Sequence, residues 1–289
     1  MKNNLRRSAL YVPGDSERML QKCKSVDSDL LLLNLEDGVA LSQKEAARSK
    51  VAGAIRKIDY GNKEIVVRVN PLNTEAGMRD LADIVPCGPD GICLPKVEEV
   101  EEIRAADQRI LELEIRHGLP EGGIGLHAMI ESARGLLRAA EISAASSRMS
   151  ALIFGSADYS KDLRCQPGED RAELLLALQM MVVSARAAGI NAVDAPCFDI
   201  RNWDLLRLES ESARRLGFDG KSALHPDQLA IINRVFDVTD EEIAWAEKVL
   251  AELDAAENRG KALTTMNGKL IDNPHRAAAL RILSSRNRH

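Results

Sequence analysis

Two carboxylates stand just beyond the ends of two apolar runs. Residues 124–130 and 149–154 are short and apolar, with Glu131 closing the first and Asp158 following soon after the second. Between the runs, Leu136, Leu137, Ala140 and Ile142 recur at helical spacing, so the order reads strand, helix, strand. In a parallel α/β architecture the strands end on one side, which would bring both carboxylates to one pocket. Two hard oxygen donors in one pocket suit a divalent cation such as Mg2+. Each acid could equally cap the helix that follows it or join an ion pair.

Other strand-like segments also end in polar residues: Glu36 and Asp37, Arg68, Lys96, Asp194 and His225. Arg68 interrupts the apolar run EIVVRVN, and a buried guanidinium has to meet an anion. That anion could be a substrate group, or Glu36 or Asp37 in an internal ion pair. Two adjacent acids are more than a helix cap requires. Lys96, after Pro95, fits a structural surface role as well as a chemical one, and Asp194 and His225 could tie loops together. The histidines (His117, His127, His225, His275 and His289) form no HExxH-type pair, so zinc is not expected and any metal here would take oxygen ligands.

The elements that would position these groups alternate. Strands are expected at 8–13, 29–35, 64–70, 90–94, 124–130, 149–154, 190–194 and 218–224. Helices are expected from Asp15 or Ser16 to about Lys24, then over 42–57, 76–84, 97–117 and the segment between Glu131 and Met149. Ser42 with Glu45 reads as a capping box for the second of these. A loop over 159–167, carrying Lys161, Arg164 and Cys165, leads to an Ala/Leu-rich helix ending at Ala188, and a last helix spans 203–216. The pattern fits a (β/α)8 TIM barrel over residues 1–236 better than a doubly wound sheet. Residues 237–289 exceed what a barrel needs and read as a C-terminal helical appendage or lid, with a helix from Asp240 to about Glu257 and a break at Gly260.

Composition narrows the function. A chain of 289 residues suffices for one such barrel, and a net charge of -5 with 3% aromatic residues argues against nucleic-acid binding. No run approaches the roughly 18–20 apolar residues of a membrane span. The start, MKNNLRRSALYVPGD, lacks the apolar core of a secretory signal. Five scattered cysteines without a CxxC pair read as free thiols in a reducing cytoplasm.

The stretches LYVPGDSERM, LLNLEDGV, KEAARSKV, VVRVNP, ICLPKVEE, MIESARGLLRAAEI, FGSADYSKDL, GFDGKSALHPDQLAIIN and NGKLIDNPH occur in order between about residues 6 and 280. Together they resemble the citrate lyase beta-subunit family of the aldolase/citrate lyase superfamily of CoA-thioester lyases. The resemblance implies a Mg2+-dependent (β/α)8 barrel, a homo-oligomer of trimeric character, that splits a malyl-, citramalyl- or citryl-type CoA thioester into an acyl-CoA and a small 2-oxo acid. It assigns the metal to Glu131 and Asp158 and the thioester oxygen to Arg68, with Glu36 and Asp37 supporting both. Asp272 would move a proton at the thioester α-carbon from a neighbouring subunit, and Arg18 and Lys22 would meet CoA phosphates. Asn34 departs from the family's usual Asp-Leu-Glu-Asp, which bears on charge near the pocket. A subunit acting on an acyl-carrier-protein thioester and a pyruvate-type aldolase without CoA are the competing expectations.

Overall fold

The computed structural model describes residues 5–286. The chain divides into two compact units, one through Phe236 and one from Asp237. In the first, eight parallel strands close a barrel in sequence order: β1 (Ser8–Pro13), β2 (Leu30–Asn34), β3 (Glu64–Arg68), β4 (Gly91–Leu94), β5 (Gly125–Ile130), β6 (Met149–Phe154), β7 (Asn191–Asp194) and β8 (Gly220–Ala223), with β8 pairing back onto β1. This is the expected TIM barrel.

Strand alternation sorts each strand's residues between two cores. In β2, Leu31 and Leu33 join the large core beneath the helices, while Leu30 and Leu32 fill the barrel with Val66, Cys93, Met129, Ile153 and Val193. Each such leucine contributes about 1.5–3 kcal/mol relative to exposure, which makes β2 a firm base for the polar turn that follows it. The same alternation turns Glu64 and Arg68 of β3 the same way, one at each end. At the amino-terminal floor, Glu64 accepts two hydrogen bonds from Arg6, each 2.7 Å, and lies 3.3 Å from His127.

Several local expectations are corrected. Residues Leu41–Gln43 form a 3-10 turn before the helix Lys44–Lys57, which has no side-chain cap. Ser42 lies inside that turn and lacks the extended backbone of a cap, so the Ser42–Glu45 box does not form. Capping boxes form instead at Glu99 with Glu102 and at Thr239 with Glu242. The helix expected between β5 and β6 is two short ones, Ala133–Leu137 and Ala139–Ser143, parted at Arg138. The expected loop over 159–167 is helical in its first half: the helix Ser156–Leu163 is anchored by Tyr159, whose ring meets Phe154 with centroids 5.3 Å apart. A further helix, Leu229–Phe236, follows β8.

The second unit holds the expected helix, Asp240–Glu257, and another, Asn273–Arg286. Between them is an antiparallel hairpin that a purely helical appendage lacks, β9 (Thr264–Met266) and β10 (Lys269–Ile271). Its turn is Asn267-Gly268, both with positive φ (50° and 74°), as a two-residue hairpin requires. Ala246, Val249, Leu253, Met266, Ile271 and Ala279 give this unit its own small core.

Candidate active site

At the carboxyl ends of the strands the barrel opens into a cavity of about 390 Å3. Arg68, Glu131 and Asp158 line it with Asn34 and Asp37, and the rest of the wall is largely apolar, including Tyr11, Met129, Phe154, Pro196, Phe198 and Leu224.

Arg68 is nearly fully buried and reaches the mouth from the end of β3. Its Nη2 lies 2.8 Å from Glu36 Oε2, 3.7 Å from Glu131 Oε1 and 3.9 Å from Asp37 Oδ2. The internal ion pair held open from the sequence is therefore present. Nε is different: it is buried, and no described residue accepts its hydrogen. A buried donor without an acceptor costs about 1–3 kcal/mol.

Glu131 ends β5. Its Oε1 accepts the Lys96 backbone N–H at 2.7 Å. Oε2 faces Gly155, where a Cβ would lie only 2.4 Å away, so the absence of a side chain at Gly155 makes the room for the carboxylate. Burial pushes the Glu131 carboxyl up to about 7; Arg68 and the Lys96 N–H pull it down, and Asp158 and Glu36 add to the rise. Asp158 sits in the first turn of the helix Ser156–Leu163 and is about one-third exposed, at 35% for its side chain.

The turn after β2 is fixed by Asn34 and Lys44. Asn34 Oδ1 accepts from Glu36 N at 3.1 Å, and its Nδ2 donates to the Asp37 carbonyl. An ionised aspartate could not donate, so Asn34 supports this turn by a bond its charged counterpart could not make. Lys44 Nζ donates to the carbonyls of Leu35 and Glu36, both at 2.7 Å.

Lys96, which the sequence alone does not assign, is central here. It has a left-handed backbone, φ 52°. Its Nζ lies 2.7 Å from Glu36 Oε1, 3.0 Å from Asp37 Oδ2 and 4.0 Å from Asp158 Oδ2. The one readable signal was a cation following a proline at a strand end otherwise ringed by acids.

The remaining expected site residues lie elsewhere. Arg18 and Lys22 are exposed on the short helix Glu17–Lys22 and do not line the cavity. Asp272 follows β10 in the second unit, with Oδ1 2.6 Å from Nδ1 of His275, a partner the sequence reading did not assign. Asp194 is structural, buried between Arg171 at 2.9 Å and Lys221 at 2.8 Å, where burial pushes its carboxyl up but the two cations hold it below the usual range. His225 caps the turn Pro226–Gln228, its Nδ1 accepting from Asp227 N at 3.2 Å.

Among the described residues no three Asp, Glu, His or Cys side chains are gathered as a metal cage. Glu131 and Asp158 bring two carboxylates to one cavity. Mg2+ is commonly held by one or two carboxylates together with waters and substrate oxygens, so this all-oxygen pair fits it and does not fit zinc. Charge agrees: Glu36, Asp37, Glu131 and Asp158 outnumber Arg68 and Lys96 around the mouth.

A profile of the HpcH/HpaI aldolase/citrate lyase family matches residues 7–226, and one for a C–C bond lyase of the TIM-barrel fold matches 178–288. The citrate lyase subunit beta of Leuconostoc mesenteroides is 35% identical over 98% of this chain and 94% of its own. The (3S)-malyl-CoA thioesterase of Cereibacter sphaeroides is 34% identical over 96% of this chain and 93% of its own. A crystal structure of CitE from Mycobacterium tuberculosis in complex with magnesium, acetoacetate and coenzyme A superposes with a TM-score of 0.80 at 27% identity, covering 99% of this chain and 100% of that one.

Proposed function

Because the chain belongs to the HpcH/HpaI aldolase/citrate lyase family of carbon–carbon lyases, we propose that it is a Mg2+-dependent lyase cleaving a 3-hydroxy-3-carboxyacyl-CoA thioester of malyl, citramalyl or citryl type into an acyl-CoA and a 2-oxo acid. Glu131 and Asp158 would hold the cation. Bound there, Mg2+ supplies Lewis-acid polarisation of the oxygens on the 2-oxo-acid half of the substrate. A base takes the 3-hydroxyl proton as the C2–C3 bond breaks, and the electron pair passes to the thioester oxygen, where the Arg68 guanidinium stabilises the enolate, an oxyanion-type role for a fixed fork. Glu36 and Asp37 orient Arg68, and Lys44 and Asn34 hold their turn in place. Asp272, presented by a neighbouring subunit of a homo-oligomer, protonates the α-carbon. Arg18 and Lys22 would meet CoA phosphates. All five cysteines are unpaired, which suits a cytoplasmic enzyme.

The observation that carries this reading is Arg68: a guanidinium anchored by Glu36 at 2.8 Å that lines one cavity with two metal-suited carboxylates, Glu131 and Asp158. The test is cleavage of malyl-, citramalyl- and citryl-CoA by purified protein, with Mg2+ and with EDTA, trapping the 2-oxo acid with phenylhydrazine. Metal-dependent release of glyoxylate, pyruvate or oxaloacetate supports the proposal and identifies the substrate. A second reading, suggested by the citrate lyase subunit beta relative, is a subunit acting on a citryl thioester of an acyl carrier protein. It gains ground if all three CoA thioesters are inert while Mg2+ still binds.

A further inference from the structure

The mouth carries two cations held in opposite ways. Arg68 is locked at the end of β3 and 6% exposed, whereas the Lys96 side chain is 42% exposed on a flexible stem. Lys96 reaches the same acid cluster twice. Its backbone N–H anchors Glu131 at 2.7 Å, and its Nζ meets Glu36 at 2.7 Å and Asp37 at 3.0 Å, with Asp158 at 4.0 Å. A left-handed backbone at a residue other than glycine costs roughly 1–2 kcal/mol and persists only where its surroundings hold it.

We propose that the Lys96 ammonium is a resident counter-cation of the metal-free mouth, holding Glu36 and Asp37 together beside Asp158 and withdrawing toward solvent when Mg2+ binds, so that ammonium and metal compete for one acid cluster. The inference rests on the reading that Glu131 and Asp158 hold Mg2+. Two like charges cannot share this cluster without repulsion, and only Lys96 has both the reach and the exposure to leave. Lys96 is a positioning residue in this scheme; it touches carboxylates and not the reacting atoms. The competition keeps the acids aligned before the metal arrives, at the expense of metal affinity.

The test is Mg2+ titration calorimetry on wild type and on Lys96→Gln, Lys96→Gly and Lys96→Arg, with thermal unfolding in EDTA and in saturating Mg2+. Lys96→Gly keeps the N–H to Glu131 and relieves the left-handed strain, so it remains informative if Lys96→Gln folds poorly. Removing the ammonium is expected to tighten Mg2+ binding roughly tenfold, the factor that a unit charge ~6 Å from a dication represents in a water-like medium. Lys96→Gln, which keeps the left-handed strain, should melt lower than wild type in EDTA and gain more from Mg2+, while Lys96→Arg should bind like wild type. Unchanged or weaker Mg2+ affinity in both Lys96→Gln and Lys96→Gly overturns the proposal. Failure of the wild type to bind Mg2+ removes the metal assignment beneath it, and the proposal with it.

Discussion

Replacing Gly155 by alanine tests the placement of Glu131 with a single methyl group. Gly155 has φ −103° and ψ 79°, which alanine can adopt, so the backbone alone would favour the change by about 0.4–1 kcal/mol through the unfolded chain. Sterics decide otherwise. The new Cβ would lie 2.4 Å from Glu131 Oε2 and 2.6 Å from Glu131 Cβ, where ordinary contact begins at 3.4 Å. Rotating the carboxylate relieves only the first overlap and strains the 2.7 Å bond from Lys96 N. Overpacking of this kind costs about 1–3 kcal/mol, and a strained bond to a charged group up to another 1.5–3 kcal/mol. Net destabilisation of about 1–5 kcal/mol is expected after the backbone gain is offset. Mg2+ affinity and kcat/KM should each fall by about 10–100-fold, as when the support of a metal ligand is disturbed. Gly53→Ala is the control: it lies inside the helix Lys44–Lys57 with nothing within 4 Å of the added methyl, and should stabilise by about 0.5–1 kcal/mol. Urea unfolding, Mg2+ calorimetry and steady-state cleavage read all three quantities. If Gly155→Ala behaves like Gly53→Ala, Glu131 does not occupy the position described.

Three further outcomes are expected. The Asp194 carboxyl is held below its unfolded value, so its stabilising contribution is complete above about pH 4 and is lost as pH falls through the folded value; urea unfolding from pH 7 downward should show it, and Asp194→Asn should flatten the acid limb while costing about 1–3 kcal/mol at pH 7, since Lys221 keeps Glu209 as a partner at 2.8 Å. Asp272→Asn and Arg68→Lys should each lower kcat by at least about 100-fold, and hybrids reassembled from the two inactive proteins should recover part of the activity if Asp272 serves a neighbour's mouth; no recovery argues that it acts elsewhere. Arg18→Ala with Lys22→Ala should raise KM for the CoA thioester several-fold, more at low salt, with kcat kept; an unchanged KM removes both from the CoA site.

How much was legible follows from the kind of signal each residue carries. Arg68 is legible as a candidate because it interrupts an apolar run, and Glu131 and Asp158 because they follow the ends of two such runs. The helical setting of Asp158 is not legible: SADYSKDL carries one strong anchor, Tyr159, and that contact with Phe154 exists only once β6 is in place. Lys96 was undecidable because its chemistry depends on a left-handed backbone and on acids arriving from β2 and from the helix after β6, none of them local to Pro95-Lys96. The hairpin β9–β10 was more accessible, since Asn-Gly between strand-forming residues is a turn signal; the surrounding helical pattern obscured it. The pairing of Arg6 and Glu64 joins residues 58 apart in sequence and had no local trace.

That pairing has a kinetic consequence. Arg6, Glu64 and His127 are buried at the end of the barrel opposite the acids, and the packed interior lies between them and the cavity, so the barrel is no conduit. If the proposed reaction holds and the 2-oxo acid sits against Glu131 and Asp158 with the thioester above it, acyl-CoA would leave first and the 2-oxo acid last. In the condensing direction the order would reverse, and a thioester arriving first would block its co-substrate, which steady-state kinetics would show as substrate inhibition by the thioester alone.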